Sequence, residues 1–165
     1  MRNDFLELLR RLTGAKVRFV VIGGFAATAY GCTLVTEDMD ICCDFSTENL
    51  MRLQKALECI GPVHRMTPNR KPLELTPDNA VGLKNLYLET DLGVLDCIGS
   101  VSGVGDYQQT RKVSRQIETE GIVLNILNIE ALIQSKTVLN RPRDQQAVIQ
   151  LKAILELINK KDKPL

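Results

Sequence analysis

The chain has 165 residues and a formal net charge of +1. This length suits one domain with a substantial core, and the near-neutral charge excludes a globally basic surface of the nucleic-acid-binding type, although not a local basic patch. The N-terminal residues mix acidic, basic and apolar side chains, and no run approaches the roughly 18 apolar residues of a membrane span. We therefore expect a cytoplasmic protein without a signal peptide.

The cysteines and the histidine limit the types of site. Five cysteines form no Cys-x-x-Cys pair, and their odd number argues against a complete disulfide framework. Cys42, Cys43 and Cys97 lie in apolar runs, where we expect small buried side chains rather than zinc ligands or nucleophiles. His64 lies in a polar region, and we expect it at the surface. A His-rich metal site or a Ser-His-Asp arrangement therefore has little support.

The first part of the chain alternates helical and strand patterns. Leucines at helical spacing follow a possible cap at Asn3 or Asp4, and the β-branched run "VRFVVI" leads directly into the pair Gly23-Gly24. Ser46 is a candidate N-cap for the next long helix. The predicted elements are a helix at 5–12, a strand at 17–22, a short helix at 25–30, a strand at 39–45 and a helix at 47–60.

The second part begins with a polar, proline-containing segment at 63–79, for which we predict an irregular loop or very short strands, and where a substrate loop is possible. Asp96 lies in the second of two apolar runs joined by "ETDLG", a hairpin-like connection. The segment "SGVGDYQQT" reads as a loop with one helical turn at most. The remaining predicted elements are strands at 83–88, 94–98 and 121–127, a helix at 129–139 capped by Asn128, and a final helix whose apolar stripe covers 147–158.

This order predicts an α/β or α+β fold, a mixed β-sheet flanked by helices. No internal repeat or linker-like composition interrupts the chain. We expect a single domain over residues 1–165, with a core at about 17–100 and a C-terminal helical part at about 128–160.

Three aspartates form the candidate chemical site. Asp38 and Asp40 point to the same face if both lie on one strand, because strand side chains alternate. Asp96 joins them if its strand pairs beside theirs. Carboxylates so placed repel one another unless hard divalent cations neutralise them. The pattern therefore predicts a site for Mg²⁺ or Mn²⁺.

The glycine pair indicates the second ligand. Mg²⁺ in proteins usually completes its coordination with substrate phosphates, so we expect a phosphate-bearing ligand beside the carboxylates. Gly23 and Gly24 allow the backbone to approach a triphosphate closely, and N–H groups at the start of the next helix are suitable donors. This combination is typical of nucleotidyl transfer assisted by two metal ions.

The whole pattern resembles the DNA polymerase beta-like nucleotidyltransferase superfamily and its fold. The similarity is strongest to small single-domain prokaryotic members, including those related to abortive infection and toxin–antitoxin systems, whose C-terminal pattern matches "IEALIQSKTVLNRPRD". The resemblance spans about residues 17–155. The residues that carry its first part are Gly23, Gly24, Gly31, Thr36, Asp38, Asp40 and Asp96.

The resemblance implies roles for individual residues. It implies that Asp38, Asp40 and Asp96 bind metal and are catalytic, and that Asp96 helps to activate the acceptor hydroxyl. The implied nucleotide-binding residues are Gly23, Gly24, Thr36 and Lys136, with Arg143 and Asp144 as further candidates. Without these roles, the glycines are simply a tight turn, Thr36 only hydrogen-bonds the loop before Asp38, and Lys136 is a solvated helix lysine. Leu34 is a departure, because related chains often have arginine at that position.

We therefore expect a Mg²⁺-dependent enzyme that moves a nucleoside monophosphate from an NTP to a hydroxyl and releases pyrophosphate. The acceptor stays open among a tRNA end or other RNA, a protein side chain and a small molecule. The alternative is a non-catalytic module of the same fold that binds a nucleotide or a partner, such as a cognate antitoxin or a helical protein. The three aspartates favour the enzyme, and Leu34 favours the module.

Overall fold

The computed structural model describes residues 4–161. Its helices and strands follow one another as α1 Phe5–Gly14, β1 Phe19–Val21, α2 Gly23–Ala29, β2 Asp38–Cys43, α3 Thr47–Leu57, β3 Val63–His64, β4 Asn85–Thr90, β5 Gly93–Ile98, β6 Ser100–Val101, β7 Gly105–Asp106, α4 Tyr107–Lys112, β8 Ser114–Thr119, β9 Ile122–Leu127, α5 Ile129–Leu139 and α6 Pro142–Lys161.

Seven of these strands form one mixed sheet in the order β3-β4-β5-β2-β1-β9-β8, and β6 pairs with β7 in a separate small ribbon. The pairs β2–β5 and β1–β9 are parallel, and the other pairs are antiparallel. Helices flank the large sheet, so the expected mixed β-sheet with flanking helices is confirmed.

The central strand β2 separates the core from the site. Met39, Ile41 and Cys43 are fully buried on one face, where the Asn49 side chain of α3 donates a hydrogen bond to the Cys43 sulfur at 3.4 Å. Asp38 and Asp40 alternate with these residues and are only partly buried. Because strand side chains alternate, both carboxylates lie on the opposite face of the sheet.

Local capping signals were predicted well. Asp4 caps α1 by accepting a hydrogen bond from the Glu7 N–H, Ser46 caps α3 and Asn128 caps α5. Asn3, the other candidate cap of α1, lies outside the described residues. The final helix starts earlier than its apolar stripe suggested, because Pro142 is favourable in the first turn of a helix.

The strands β6, β7 and β8 were missed, and the helix α4 was predicted too short. The strand β8 follows α4 and pairs only with β9, so it is an edge strand. Its side chains are half-buried or exposed, without regular alternation and without a strong apolar pattern. The six-residue helix α4 is closed by a capping box between Asp106 and Gln109, and it is longer than the single turn expected there. The errors at β8 and α4 have the same cause, because many polar side chains in a half-exposed element conceal its hydrophobic periodicity.

The expected burial of Cys42, Cys43 and Cys97 is confirmed, and burial raises the pKa of Cys42 to about 11 and of Cys43 to about 12. The prediction for His64 was wrong, because this residue is half-buried in the short strand β3. Across residues 4–161, no helix combines the length and the apolar character that crossing a membrane requires.

Candidate active site

The sheet register brings the predicted aspartates together. Asp40 and Asp96 are direct neighbours on the parallel strands β2 and β5, and Tyr87 is the neighbour of Asp96 on β4. Side chains at paired positions project to the same face, so these three residues form a row across the sheet. Asp38 lies two residues before Asp40 in β2, so its side chain is on the same face of the sheet.

The glycine pair fits against this row. Gly23 has φ +65°, and a Cβ built on it would lie 2.2 Å from Asp40 Oδ2. A Cβ on Gly24 would lie 2.8 Å from Thr36 Oγ1. The Ile22 N–H donates to the Asp40 carbonyl at 3.0 Å, which fixes the start of α2 against β2. The packing of Asp40 and Thr36 against α2 therefore requires glycine at both positions.

The loop between α2 and β2 is anchored at both ends. Thr36 Oγ1 donates to the carbonyl oxygen of Asp38 at 2.9 Å, so Thr36 holds the backbone that presents the first aspartate. The Thr33 N–H donates to Gln150 Oε1 of α6 at 2.9 Å. Between them, the half-buried Leu34 lines the cavity without adding charge. The structure thus gives Thr36 the structural contact that the sequence offered as the alternative to nucleotide binding.

The electrostatics of Asp40 differ from those of an ordinary surface carboxylate. Burial, followed by the nearby charges of Asp96 and Asp38, raises the pKa of Asp40 to about 6. Lys136 and Arg141 oppose this rise from across the cavity, and their effect is smaller. Burial also raises the pKa of Asp96, although an arginine partner opposes it. The site therefore carries negative charge that its own cations only partly compensate.

Arg65, which sequence reasoning missed, is the partner of Asp96. Its Nε and Nη2 atoms donate to the two carboxylate oxygens at 3.1 and 2.5 Å. Arg65 follows β3, in the polar segment where a substrate loop was considered possible, and it also lines the cavity. No local signal identifies this pair, because Asp96 is 31 residues away and β4 lies between β3 and β5.

A second charged cluster faces the aspartates from the turn between α5 and α6. Asp144 is 2% exposed and accepts hydrogen bonds from the Arg141 guanidinium, the shorter at 2.6 Å, while Lys136 Nζ lies 3.6 Å from its Oδ1. Burial raises the pKa of Asp144, but Arg141 and Lys136 outweigh burial and leave it below its usual range. Asn140, with φ +52°, makes the left-handed turn that joins the two helices.

The outcome for the C-terminal candidates is mixed. Lys136 is not a solvated helix lysine, because its side chain is only 12% exposed. Asp144 acts as the buried counter-ion of this cluster, and the exposed Arg143 lines the cavity without an ion pair to Asp144. Arg141, rather than Arg143, forms the ion pair with Asp144. The sequence signal for Arg141 was its place as first residue of the motif "RPRD".

The aspartates and the cluster around Asp144 line a cavity of about 740 Å³ that is open to solvent. One wall carries the three aspartates, Thr36 and the glycine pair, and the other carries the cluster around Asp144. A cavity of this size falls within the range of roughly 300–1,000 Å³ that is usual for small-molecule and cofactor sites.

The donor set fits a hard divalent cation in part. Asp38 and Asp40 offer carboxylate oxygens on one face, and the raised pKa of Asp40 reflects a local excess of negative charge that such a cation relieves. Across residues 4–161, however, no three acidic, cysteine or histidine side chains are arranged around one common metal position. Both oxygens of the third expected ligand, Asp96, are instead paired with Arg65.

Comparisons with known proteins show the fold. No family model and no curated protein matches the sequence. The structure is similar to the lincosamide antibiotic adenylyltransferase LnuA bound to lincomycin, with TM-score 0.62, 17% identity, and coverage of 93% of this chain and 99% of that one. It is also similar to TM1012 of Thermotoga maritima, with TM-score 0.56, 18% identity, and coverage of 94% and 91%.

A third similar structure is ANT(2″)-Ia in complex with adenylyl-2″-tobramycin, with TM-score 0.53, 12% identity, and coverage of 96% of this chain and 97% of that one. Identities of this size establish shared architecture rather than shared chemistry. The chain therefore has the nucleotidyltransferase fold, over nearly all of its length and nearly all of theirs.

Proposed function

We propose that this protein transfers a nucleoside monophosphate from an NTP to a hydroxyl group and releases pyrophosphate. The observation that carries the proposal is the row of Asp40 and Asp96 on adjoining strands, with Lys136 and Arg141 facing it across the cavity. A nucleotidyltransferase needs acidic residues on one side of its site and cationic residues on the other. The acidic residues bind the metal ions that act at the reacting phosphorus, and the cationic residues bind the triphosphate.

The nucleotide would lie between the two walls. Lys136 and Arg141 are held near the carboxylates by Asp144, and both retain donors for phosphate oxygens, since lysine has three N–H groups and arginine five. Gly23 and Gly24 keep the opposite wall free of side chains at the point nearest to Asp40. This arrangement favours a triphosphate whose α-phosphate lies beside the aspartates.

Asp38 and Asp40 would hold Mg²⁺ or Mn²⁺, and Asp96 would join them when its contact with Arg65 loosens. A bound divalent cation supplies charge neutralisation at the α-phosphate and lowers the pKa of a coordinated hydroxyl. The protein residues supply the rest. Gly23, without a Cβ, leaves room for the Asp40 carboxylate, and the hydrogen bond from Thr36 holds the backbone at Asp38.

In the proposed reaction, the acceptor hydroxyl oxygen forms a bond with the α-phosphorus. The bond between that phosphorus and the oxygen bridging to the β-phosphate breaks, and pyrophosphate leaves with the electron pair. Asp96 accepts the hydroxyl proton once its contact with Arg65 loosens, because its place beside Asp40 brings it next to the reacting phosphate. The product is a phosphodiester between the acceptor and the nucleoside monophosphate.

Among RNA, protein and small-molecule acceptors, the proposal favours a small molecule. The cavity of about 740 Å³ has room for a nucleotide and a compact acceptor side by side. Two of the similar structures are named for antibiotics or adenylylated antibiotics. A small hydroxylated compound also suits the near-neutral chain, which offers no broad basic surface for RNA.

A second candidate function is a non-catalytic module that binds a nucleotide or a partner protein such as a cognate antitoxin. One observation favours it: both oxygens of Asp96 are paired with Arg65. A carboxylate held permanently in this way accepts no proton and binds no metal. Leu34, which adds no charge to the cavity, points the same way.

The test is transfer of label from each of four α-phosphate-labelled NTPs, with Mg²⁺, into a host lysate fractionated into RNA, protein and small molecules. We expect label in the small-molecule fraction with the wild type and a loss on the order of 10³-fold with Asp40→Asn, since that charge faces the reacting phosphate. Glu118→Gln is the matched control, because Glu118 is exposed on the edge strand β8.

Equal transfer by wild type and Asp40→Asn would remove the proposed chemistry. Label in RNA or protein would keep the chemistry and change the acceptor. Nucleotide binding without transfer would favour the non-catalytic module.

A further inference from the structure

Arg65 and Asp96 form a bidentate ion pair, in which one guanidinium donates to both carboxylate oxygens. The two hydrogen bonds, at 3.1 and 2.5 Å, go to different carboxylate oxygens. The side chains are only 27% and 12% exposed. Bidentate, charge-assisted pairs that are shielded from water are among the stronger polar contacts in proteins. Asp96 therefore already has a positive partner within the chain, on both of its carboxylate oxygens.

The position of Arg65 is set by the sheet. Its backbone N–H donates to the Tyr87 carbonyl at 3.0 Å, and the preceding His64 N–H donates to the Lys71 carbonyl at 2.8 Å. The guanidinium carbon lies 5.6 Å from the centre of the Tyr87 ring. Aromatic rings attract guanidinium groups over their faces, so Arg65 has a second contact that does not involve Asp96.

We infer that Arg65 is the resident counter-ion of Asp96 and competes with a divalent cation for the same carboxylate. A cation on either oxygen of Asp96 lies close to the guanidinium, and two positive charges at short range repel. Arg65 therefore weakens binding of the cation, and by thermodynamic reciprocity the bound cation weakens the contact of Arg65 with Asp96. The ring of Tyr87 retains the guanidinium when Asp96 turns away.

This inference rests on the proposed function, because the competing cation is the one that the reaction needs. It assigns Arg65 as a positioning residue, which acts on the reaction through Asp96. It also explains why, within residues 4–161, Asp96 is not arranged with Asp38 and Asp40 around one common metal position. The third ligand becomes available only when a cation outcompetes Arg65.

The test measures Mn²⁺ binding to the full chain without nucleotide, from the electron paramagnetic resonance signal of free Mn²⁺. We expect Arg65→Gln to tighten binding about tenfold, within the roughly 5–150-fold range of ordinary coupling between two ligands. The matched control is Arg70→Gln, which removes one positive charge from the same segment. Arg70 pairs with Glu89 at 2.7 Å outside the cavity, so its loss should leave the affinity unchanged.

Two further variants test whether the gain depends on Asp96 and provide a substitute if Arg65→Gln does not fold. Asp96→Asn in the Arg65→Gln background should abolish the tenfold gain. Arg65→Lys keeps the charge but lacks the two-pronged guanidinium, so its affinity should fall between those of the wild type and Arg65→Gln. If Arg65→Gln does not fold, Arg65→Lys carries the test, and an affinity equal to the wild type overturns the inference.

Unchanged or weaker Mn²⁺ binding in a folded Arg65→Gln variant overturns the competition and leaves the proposed function standing. A gain of similar size in Arg70→Gln also overturns it, because the effect is then one of overall charge. Failure of every variant to bind Mn²⁺ without nucleotide overturns this inference, while the proposed reaction, whose cation is completed by substrate phosphates, is decided by the labelled-NTP transfer experiment.

Discussion

The two ends of strand β2 carry aspartates in opposite electrostatic states. Asp44 follows the last residue of the strand and accepts hydrogen bonds from the Arg18 guanidinium at 2.8 Å and the Ser46 N–H at 2.9 Å. Burial acts against these contacts but does not cancel them, and the pKa of Asp44 is below its usual range. Asp40, the third residue of the strand and nearer its other end, has its pKa raised to about 6 by burial, Asp96 and Asp38.

This difference separates a carboxylate whose charge the fold compensates from one whose charge it leaves among like charges. Asp44 has its ligands within the fold, where it ties β2 to the start of α3. Asp40 lies among like charges, and such an arrangement persists only when the fold compensates for it elsewhere or when a ligand supplies the missing charge. The comparison therefore supports the proposed role of Asp40 independently of any similar protein.

The largest expected effect concerns stability as a function of pH in metal-free buffer. A carboxylate with a raised pKa binds its proton more tightly in the folded state, so the folded state loses stability as the pH rises from about 4 to about 6. For Asp40, a pKa of about 6 against the ordinary 3.8 corresponds to at most about 3 kcal/mol. Asp40→Asn should therefore match the wild type near pH 4 and exceed its unfolding free energy at pH 8.

Asp44→Asn supplies the opposite control. Its lowered pKa stabilises the fold above the ordinary carboxylate pKa, and this stabilisation is lost as the pH falls. The variant should be less stable than the wild type at pH 7, and the gap should close towards pH 3. Urea unfolding of the three proteins from pH 3 to pH 8, with EDTA present, measures both trends. Parallel curves for the two variants would contradict the comparison.

The next effect tests how the fold places Asp40. An alanine Cβ at position 23 would lie 2.2 Å from Asp40 Oδ2, so Gly23→Ala must displace the carboxylate. We expect a loss in kcat/KM of roughly 10²-fold, the usual cost of moving a catalytic group by about 1 Å. Gly121→Ala is the matched control, because Gly121 also has positive φ, +74°, but no atom lies within 4 Å of the added Cβ.

Both alanine variants should lose about 1 kcal/mol of stability from the left-handed backbone, and only Gly23→Ala should lose activity. Thermal unfolding and initial rates, measured on the same preparations, separate strain from displacement. Equal activity losses would show that Gly23 serves the site through stability alone.

Contacts between residues close in the sequence were predicted better than contacts between residues far apart in it. The caps at Asp4, Ser46 and Asn128 depend on contacts within three residues, and they were predicted correctly. The pairing of Asp96 with Asp40 was predicted only on the condition that β5 lies beside β2. Arg65 was missed because its contact depends on the position of β3 at the far side of β4, which no local pattern encodes.

The smallest expected effect concerns Lys136, whose partner Asp144 is a third kind of carboxylate: deeply buried, yet compensated by two cations. If Lys136 also binds the triphosphate, Lys136→Met should raise the KM for NTP about tenfold, equivalent to about 1.4 kcal/mol of lost binding. Lys152→Met, at an exposed position of α6, is the matched control.

Steady-state rates at varied NTP and the urea midpoint of each variant distinguish the two roles of Lys136. Loss of a counter-ion alone lowers the unfolding free energy and leaves KM unchanged, because Arg141 still holds Asp144 at 2.6 Å. Loss of a phosphate ligand raises KM whatever happens to stability. A changed midpoint with an unchanged KM would therefore place Lys136 with Arg18, as a structural partner of a carboxylate, and leave Arg141 as the cation that faces the nucleotide.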